Sequence, residues 1–369
     1  MTTRVYLHIG SPKTGTTYLQ SVLFQNRSRL RSAGVLYPGD TADAHFRATL
    51  DLRGLAFGGY DDPAVIGAWP HLLGRIRGWS GDVVVVSHEL LAGSRPETID
   101  ALLADLDSTE VHVLLTARDL GRQVPAVWQE MVKNGQTLSY PKYLAQVTGA
   151  RQGRGARVFW RQQDTAEVLT RWSRPLGPER VHLVTVPPPG AAPTLLWERF
   201  ASVVGLEAAD YDAEVPRTNV SLGLAEAELV RQVNAALGDR LDWPDFAAVV
   251  KGGLAERLLT VRADTDRAQV PAEQRAWFDE TAEQMVADVR KGGYDVVGDL
   301  EELRPWYGDG EGADSPTRAA VNDAATWALA ELLAQQAKRR RSTGRRLAAR
   351  VSGKLSGRWR RALRPLRYR

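Results

Sequence analysis

Continuous apolar runs alternate along the chain with segments in which apolar residues recur every three or four positions. The apolar runs cover residues 5–9, 82–87, 111–117 and 180–186, and three prolines at 187–189 stop the last one. Such runs, separated by helical segments, are typical of a parallel sheet that is buried on both faces. The pattern therefore predicts an α/β fold with a parallel sheet and helices on both of its faces.

Segments with helical spacing of apolar residues predict the helices and the division of the chain into a domain, a linker, a helix and a tail. A helix is predicted over residues 16–31, where Leu19, Val22 and Leu23 form an apolar stripe. Further helices are predicted over 194–204, 222–237, 245–262 and 271–292. We expect one large domain over 1–305, a Gly- and Asp-rich linker over 306–316, a helix over 317–337 for which Ser315-Pro316 is a candidate cap, and a basic tail over 338–369.

Charge is distributed unevenly along the 369 residues. The tail contains 14 Lys and Arg and no acidic residue, whereas the preceding 337 residues contain 34 basic and 44 acidic ones. An acidic body is a poor surface for nucleic acid, so a nucleic-acid partner is not expected. No cysteine is present, which excludes disulfides and thiolate metal sites. With no apolar run of about 20 residues and no signal peptide, we expect a cytoplasmic protein.

The first apolar run leads into a glycine-containing loop, and a predicted helix follows it. The loop reads Gly10-Ser11-Pro12-Lys13-Thr14-Gly15-Thr16-Thr17. A strand–loop–helix turn of this kind directs backbone N–H groups and a helix N-terminus at an anion. It differs from a Walker A loop, which needs lysine directly after the second glycine, because Lys13 lies two residues before Gly15. The alternative is an ordinary turn, since Gly, Pro and Thr are common between a strand and a helix.

At this loop the sequence resembles a known family. Pro12 to Thr17 is similar to the 5′-phosphosulfate-binding loop of sulfotransferases that use 3′-phosphoadenosine 5′-phosphosulfate (PAPS). His8-Ile9-Gly10, Tyr18-Leu19-Gln20 and 34–38 look like the bacterial branch, and the resemblance runs with falling strength to about Leu303. It implies a P-loop-like sulfotransferase fold, PAPS as co-substrate, no metal, and a small-molecule or glycan acceptor. It also implies that Lys13 stabilises the leaving oxygen and that Thr14 to Thr17, with Ser11 and Pro12, bind the 5′-phosphosulfate.

The family's second element is an arginine at the end of a strand, which holds the 3′-phosphate together with a serine eight residues later. Arg118 matches this arginine, but Ala126 stands where the serine would be. Gln123 is a candidate to complete the site, and an ion pair with Asp119 is the alternative role for Arg118. Residues 217–221 resemble a third element or form a helix cap, and Lys251-Gly252-Gly253 is similar to a Lys-Gly element that touches the 3′-phosphate.

Sulfuryl transfer also needs a base. His88 and Glu89 follow the second apolar run, at the sheet edge where ligands of parallel sheets bind. If the strand continues through them, they point to opposite faces and only one faces the acceptor. Histidine needs little tuning to act near neutral pH, and glutamate would need a raised pKa. His45 is a candidate to line the acceptor site, and His8 is expected to be a core histidine.

Three functional classes follow from these features. The first is a PAPS-dependent sulfotransferase, and the alternative enzyme is a nucleoside-triphosphate kinase or NTPase with a degenerate phosphate loop. The third is a binding module that acts through the tail. In the tail, apolar residues from Leu347 to Leu366 recur mostly every four positions between arginines, as in helices that lie on an anionic membrane surface. Gly353, Gly357 and Pro365 favour a disordered tail instead.

Overall fold

The computed structural model describes residues 2–56, 58–149, 153–216, 221–262, 266–308, 313–338 and 340. Its centre is one six-stranded sheet in which every pair of neighbouring strands is parallel. The strands are β1 Arg4–Gly10, β2 Val35–Leu36, β3 Val83–Ser87, β4 Glu110–Ala117, β5 Val181–Thr185 and β6 Asp295–Val297, in the spatial order β2-β3-β1-β4-β5-β6. The four apolar runs correspond to β1, β3, β4 and β5, so the prediction of an α/β parallel sheet is confirmed.

Fourteen helices surround the sheet in the described ranges. They are α1 Thr16–Gln25, α2 Arg27–Ser32, α3 Ala44–Arg53, α4 Ala68–Arg77, α5 Pro96–Asp105, α6 Leu120–Lys133, α7 Tyr140–Thr148, α8 Arg154–Gln163, α9 Thr165–Leu176, α10 Leu195–Val204, α11 Leu224–Leu237, α12 Trp243–Phe246, α13 Ala272–Gly292 and α14 over 318–338. A 3-10 helix over Glu89–Gly93 follows β3 directly. Since successive strand residues point to opposite faces, both faces of the sheet are apolar and both are covered.

The alternation along β1 illustrates how the two faces are buried. Val5, Leu7 and Ile9 belong to the larger hydrophobic cluster, whereas Tyr6 belongs to the smaller one. Side chains from α1, α2 and α10 build the smaller cluster, and those from α4 to α9, α11 and α13 build most of the larger one. Two layers of helices therefore cover the two faces of the sheet, and its carboxyl edge is left to the loops.

Two predicted helices differ in detail from the observed ones. The helix expected over 16–31 is two helices that break at Asn26, whose side-chain amide donates to the carbonyl oxygens of Val22 and Asp212 at 2.8 Å each. The helix expected over 245–262 begins as α12 and continues as a π-helix over Ala247–Leu258. Its wider turns carry Lys251, and such segments are frequent at functional sites.

The last described helix packs on the body of the protein. Val321, Ala324 and Ala328 on α14 are part of the larger cluster, and Arg262 pairs with Asp323 at 2.7 Å. Its first turn is capped by the Thr317 hydroxyl, which accepts from the Ala320 amide at 3.2 Å, rather than by Ser315-Pro316. The tail over 341–369 lies outside the described residues. No helix of the described part of the chain is long and apolar enough to cross a membrane.

Candidate functional site

The sequence-predicted site residues lie on segments that leave the carboxyl edge of the sheet. β1 runs into the phosphate loop over 10–17, its neighbour β3 into His88 and Glu89, and its other neighbour β4 into Arg118. The register pairs His8 with both Ser87 and Leu114, so the three strands end side by side. In parallel sheets this edge is where ligands bind. The sheet therefore brings three of the sequence elements together, although the loop is more than 70 residues from His88 in sequence and His88 is 30 residues from Arg118.

The phosphate loop has a strained backbone with free donors. Gly10, Lys13 and Gly15 have φ angles of 90°, 69° and 84°, and Lys13 is the sole non-glycine residue with positive φ among the described residues. Within that part of the chain, no group accepts from the backbone N–H of Lys13, Thr14, Gly15 or Thr16. A turn of this kind at the head of α1 concentrates N–H dipoles on one spot, which suits an anion. Strain held at such a position is a feature of functional loops.

A buried chain of hydrogen bonds supports the loop from below. The Thr14 hydroxyl donates to the Ser11 carbonyl at 2.5 Å, so it must accept from Thr116 Oγ1, which is 2.6 Å away. Thr116 in turn accepts from His8 Nε2 at 3.2 Å, and His8 Nδ1 accepts from Ser87 Oγ at 2.7 Å. This order of donors requires neutral His8, and burial lowers its pKa to about 4. His8 is thus a core histidine, and the Thr14 side chain points into the protein while its N–H stays free.

Other side chains hold the loop at its first residues. Ser11 Oγ donates to the Gln162 carbonyl at 2.7 Å. The Pro12 carbonyl accepts from Gln163 Nε2 at 3.1 Å and from the amide of Gln123, and Gln123 Nε2 also donates to Gln163 Oε1 at 2.7 Å. At the first turn of α1, the Thr16 side chain is buried and that of Thr17 is exposed. The loop is therefore fixed by α6 and α8 before any ligand arrives.

Arg118 lies beside the loop and is linked to it through Gln123. Its Nε donates to Gln123 Oε1 at 2.9 Å and its Nη2 to the Arg122 carbonyl at 3.0 Å. Both amide hydrogens and the oxygen of Gln123 are used within the protein, so Gln123 positions Arg118 and the loop, and its contacts do not support the phosphate-binding role expected for it. Asp119 pairs with Arg122 and accepts from the Trp306 amide at 3.0 Å. Burial lowers the pKa of Arg118 to about 10, which leaves it charged at neutral pH.

A lysine cluster on the other side of the loop surrounds one carboxylate. Glu130 of α6 binds Lys13 Nζ at 3.1 Å through Oε2 and Lys251 Nζ at 2.9 Å through Oε1. Buried Lys133 is a third positive charge that acts on Glu130. Burial raises the pKa of Glu130, but Lys13 and Lys251 outweigh it and hold that pKa at about 2. Sequence reasoning missed Glu130 and Lys133, because nothing in a helical Glu-x-x-Lys pattern indicates that it faces a loop 117 residues away.

His88 and Glu89 do not alternate across a strand, because β3 ends at Ser87 and a 3-10 helix begins at Glu89. His88 caps that helix, with Nδ1 accepting from the Leu90 amide at 3.2 Å, so the neutral ring carries its proton on Nε2. Glu89 lies against the phosphate loop. A Cβ added to Gly10 would stand 2.6 Å from Glu89 Cβ, and Glu89 Oε2 accepts from Gln20 Nε2 at 3.0 Å.

The pKa shifts of His88 and Glu89 give the two residues different charges at neutral pH. Burial lowers the pKa of His88 by more than the Glu89 carboxylate raises it, so the ring is neutral. Burial raises the pKa of Glu89, but the positive charge that His88 gains when it is protonated, together with hydrogen bonds from the Glu89 amide and Gln20, lowers that pKa by more, so the carboxyl is ionised. The edge of the sheet thus holds a neutral ring and a carboxylate. Gln20 was part of the quoted sequence motif, but its contact with Glu89 was not predicted.

His45 has both ring nitrogens bonded within the protein. Nδ1 accepts from the Ser87 amide at 3.0 Å, and Nε2 donates to the Pro38 carbonyl at 2.5 Å. Burial lowers its pKa to about 4. His45 is therefore a structural link between the end of β3 and the segment after β2, and the expectation that it lines an acceptor site is not supported by its contacts. Residues 217–220, the core of the third sequence element, lie outside the described residues.

Comparison with known proteins adds little to this geometry. No protein-family model matches the sequence, and neither does any curated protein. Among solved structures, the chain is similar to the crystal structure of a sulfotransferase from Alicyclobacillus acidocaldarius. The TM-score is 0.39 and the sequence identity 16%, over 66% of this chain and 94% of that chain. A likeness of this degree does not carry an argument about chemistry, so the function proposed next rests on the site itself.

Proposed function

We propose that the protein is a sulfotransferase that moves a sulfuryl group from PAPS to a hydroxyl or amine of a small-molecule or glycan acceptor. The observation that carries the proposal is the phosphate loop. It presents four free backbone N–H groups and Lys13 at the head of a helix, and its first residue, Gly10, lies directly against the backbone and Cβ of Glu89. A phosphate-binding turn with a charged donor and a base beside it is what in-line group transfer requires.

The residues present fit the nucleotide. The N–H groups of Lys13 to Thr16 suit the oxygens of a 5′-phosphosulfate, and Arg118 suits the 3′-phosphate because its guanidinium lies one side chain away from the loop. PAPS supplies an activated sulfuryl group when it is bound. Ser11 and Pro12 shape the loop through their contacts with α6 and α8 and offer no charge. The 3′-phosphate site has Arg118 without the usual serine, since Ala126 has no hydroxyl.

Lys13 is the proposed donor to the oxygen that leaves. Its present partner, Glu130, is also bound by Lys251 at 2.9 Å. Lys13 can therefore turn to the nucleotide without leaving a buried carboxylate unpaired, which would be costly. Because charge grows on the leaving oxygen only during transfer, a lysine at this position stabilises the transition state more than the ground state.

Glu89 is the proposed base. Its carboxylate is ionised, and Gln20 orients it by donating to Oε2. This carboxylate is the group that would take the proton of the acceptor. His88 is less suited, because the lone pair on Nδ1 accepts from the Leu90 amide and Nε2 already carries a proton. We assign His88 a positioning role, since it caps the 3-10 helix that begins at Glu89. The pKa of the Glu89 carboxyl is lowered in the protein without nucleotide, contrary to the raised pKa expected of a glutamate base. An anionic nucleotide beside Glu89 would raise that pKa and make the carboxylate a stronger base.

A nucleoside-triphosphate kinase is the weaker candidate. The loop lysine is displaced from the Walker position, and the carboxylate after β4, Asp119, is committed to the cap of α6 and to Trp306. The remaining carboxylates at the loop are Glu130, which two lysines neutralise, and Glu89. Lys13 therefore does not hold the position at which such enzymes place a lysine along the β- and γ-phosphates.

The role of Lys13 gives a direct test of the proposal. Lys13→Ala should lower kcat for sulfuryl transfer by roughly 10²–10³, the scale of losing one donor to an oxyanion. Its thermal midpoint should barely change, because Lys251 still pairs with Glu130. Lys142→Ala, at an exposed lysine on α7, is the matched control and should keep full activity. A Lys13→Ala enzyme as active as the control would remove this role.

A further inference from the structure

A second positively charged site lies beyond the phosphate loop, where the 3-10 helix over Glu89–Gly93 meets α5, α8 and α9. It is a cavity of about 180 Å³, which we call the arginine pocket. Its lining residues are Ser94, Arg95, Pro96, Arg161, Glu167, Thr170, Arg171 and Arg174. Four of these eight residues are arginines and one is acidic. The pocket therefore has a strong excess of positive charge on a protein whose body is acidic.

Three of the four arginines have no acidic partner. In the described ranges, no ion pair or side-chain hydrogen bond is formed by Arg95, Arg161 or Arg174, and all three are exposed. The one acidic residue, Glu167, is turned to Arg171 at 3.3 Å and its side chain is 57% exposed. Like charges that converge without counter-ions repel each other, and they attract an anion. These arginines are available to a ligand.

Two buried polar atoms of the lining residues lack hydrogen-bond partners. Arg171 is only 9% exposed, and its Nη atoms are fixed by the carbonyl oxygens of Ser94 at 3.0 Å and Arg161 at 2.9 Å. Its Nε has no hydrogen-bond partner, and neither does the hydroxyl of Ser94, which is 1% exposed. An unsatisfied buried donor is unfavourable, so both groups favour a ligand that accepts hydrogen bonds.

Two neighbouring features add to the positive potential. α5 begins at Pro96 in the pocket lining, and its N-cap, Arg95, makes no side-chain capping bond, so the helix N-terminus is open. Arg53 lies behind the pocket and donates to the carbonyl oxygens of Leu90 and Gly93. Burial and the charges of nearby arginines lower the pKa of Arg53 to about 10, which reflects the positive field in this region.

The pocket is joined to the proposed base by a single short element. The 3-10 helix leads from Glu89 to Gly93, and Ser94 follows it at once. At about 2 Å per residue, this places the Ser94 end roughly 10 Å from Glu89 along the helix. A molecule that is held in the pocket by one charged group would therefore need a length of roughly 10 Å to reach Glu89.

We propose that the arginine pocket binds a tetrahedral oxyanion, a sulfate or phosphate group, either free or as an ester on the acceptor. Planar guanidinium groups match the oxygens of such groups better than other cations do. That the anion belongs to an acceptor rests on the sulfotransferase function proposed above, whereas binding of the anion itself does not. The site is separate from the phosphate loop, since it is built from α5, α8 and α9 and shares no lining residue with 10–17.

The test is isothermal titration at constant ionic strength with inorganic phosphate, glucose 6-phosphate and glucose. The pocket variant combines Arg161→Gln and Arg174→Gln, two exposed residues without partners. The control combines Arg180→Gln and Arg318→Gln, which removes the same charge elsewhere. Losing two charge-assisted contacts should weaken phosphate binding at least about tenfold in the pocket variant and leave the control unchanged. The phosphate loop is unchanged in both variants, so phosphate that binds to the loop contributes equally to every titration.

The three ligands distinguish the source of the anion. If glucose 6-phosphate loses affinity as phosphate does, and glucose does not bind, the pocket accepts an ester. If only inorganic phosphate responds, the pocket is a site for a free anion. Equal phosphate affinity in wild type and pocket variant, or no phosphate binding by the wild type, would overturn the proposal. Binding of 3′-phosphoadenosine 5′-phosphate should be unchanged in the pocket variant, so failure of the sulfotransferase function would be seen separately.

Discussion

Gly10→Ala tests the contact between the phosphate loop and Glu89. Gly10 has a φ of 90°, and an added Cβ would stand 2.6 Å from Glu89 Cβ and 2.7 Å from its Cα. The nearest atoms belong to the backbone and to the root of the side chain, so the new methyl group cannot be avoided by a rotamer change. Either the loop or the start of the 3-10 helix must move.

The expected loss of unfolding free energy in Gly10→Ala is the sum of two separate costs. A left-handed backbone costs an alanine about 1–2 kcal/mol, and an overpacked contact adds about 1–3 kcal/mol. Gly34→Ala is the matched control, because Gly34 has a φ of 78° and an added Cβ would meet nothing within 4 Å. We therefore expect Gly34→Ala to lose about 1–2 kcal/mol of unfolding free energy and Gly10→Ala to lose about 2–5 kcal/mol.

The assay is urea unfolding followed by tryptophan fluorescence, together with sulfuryl transfer under native conditions. Gly34→Ala should keep its activity, since the residue lies in the turn before β2, away from the carboxyl edge. Gly10→Ala should lose activity beyond its loss of stability, because it separates the loop from Glu89. If the two variants unfold at the same urea concentration and are equally active, Glu89 does not lie against the loop and the account of the base is wrong.

The remaining predictions concern the base and the tail. Glu89→Gln should abolish transfer, whereas His88→Ala should impair it mildly; two fully active variants would mean that the base lies elsewhere. Because the pKa of Glu89 is lowered from its ordinary 4.5, kcat/KM of the wild type should stay flat as pH falls to about 4.5 and decline only below it; an acidic limb well above pH 5 would exclude Glu89. A 1–337 truncation should lose co-sedimentation with anionic vesicles that the full chain shows at physiological salt, since each basic residue near such a surface contributes about 1 kcal/mol. If the truncated protein still binds the vesicles, or if the full-length protein does not bind anionic vesicles, the membrane hypothesis is wrong.

The sequence predicts the sheet well because buried parallel strands have continuous apolar sequences. β1, β3, β4 and β5 follow from such runs, whereas β2 and β6, with two and three residues, are too short to leave one. The break at Asn26 depends on Asp212, 186 residues away, and no local pattern indicates it. Local periodicity therefore gives the main elements, and tertiary contacts decide where they stop.

In the candidate site, too, the local features can be predicted from the sequence and the tertiary contacts cannot. The phosphate loop is local, so its glycines and lysine could be read from spacing. The pairing of Glu130 with Lys13 and Lys251 joins residues 117 and 121 positions apart, and only the fold brings them together. The expectation that His88 and Glu89 alternate assumed that the strand continued. The strand ends at Ser87, and the Leu90 amide then donates to Nδ1 of the His88 ring, a side-chain contact that composition does not reveal.

The central claim is that the loop over 10–17 binds an adenosine 3′,5′-bisphosphate nucleotide. Isothermal titration of the full-length protein with 3′-phosphoadenosine 5′-phosphate and with ATP, each with and without Mg²⁺, tests it most directly. We expect 3′-phosphoadenosine 5′-phosphate to bind more tightly than ATP, with an affinity that Mg²⁺ does not change, and Arg118→Ala to remove most of that preference. Tight binding of ATP that requires Mg²⁺ would contradict the claim and favour the kinase alternative.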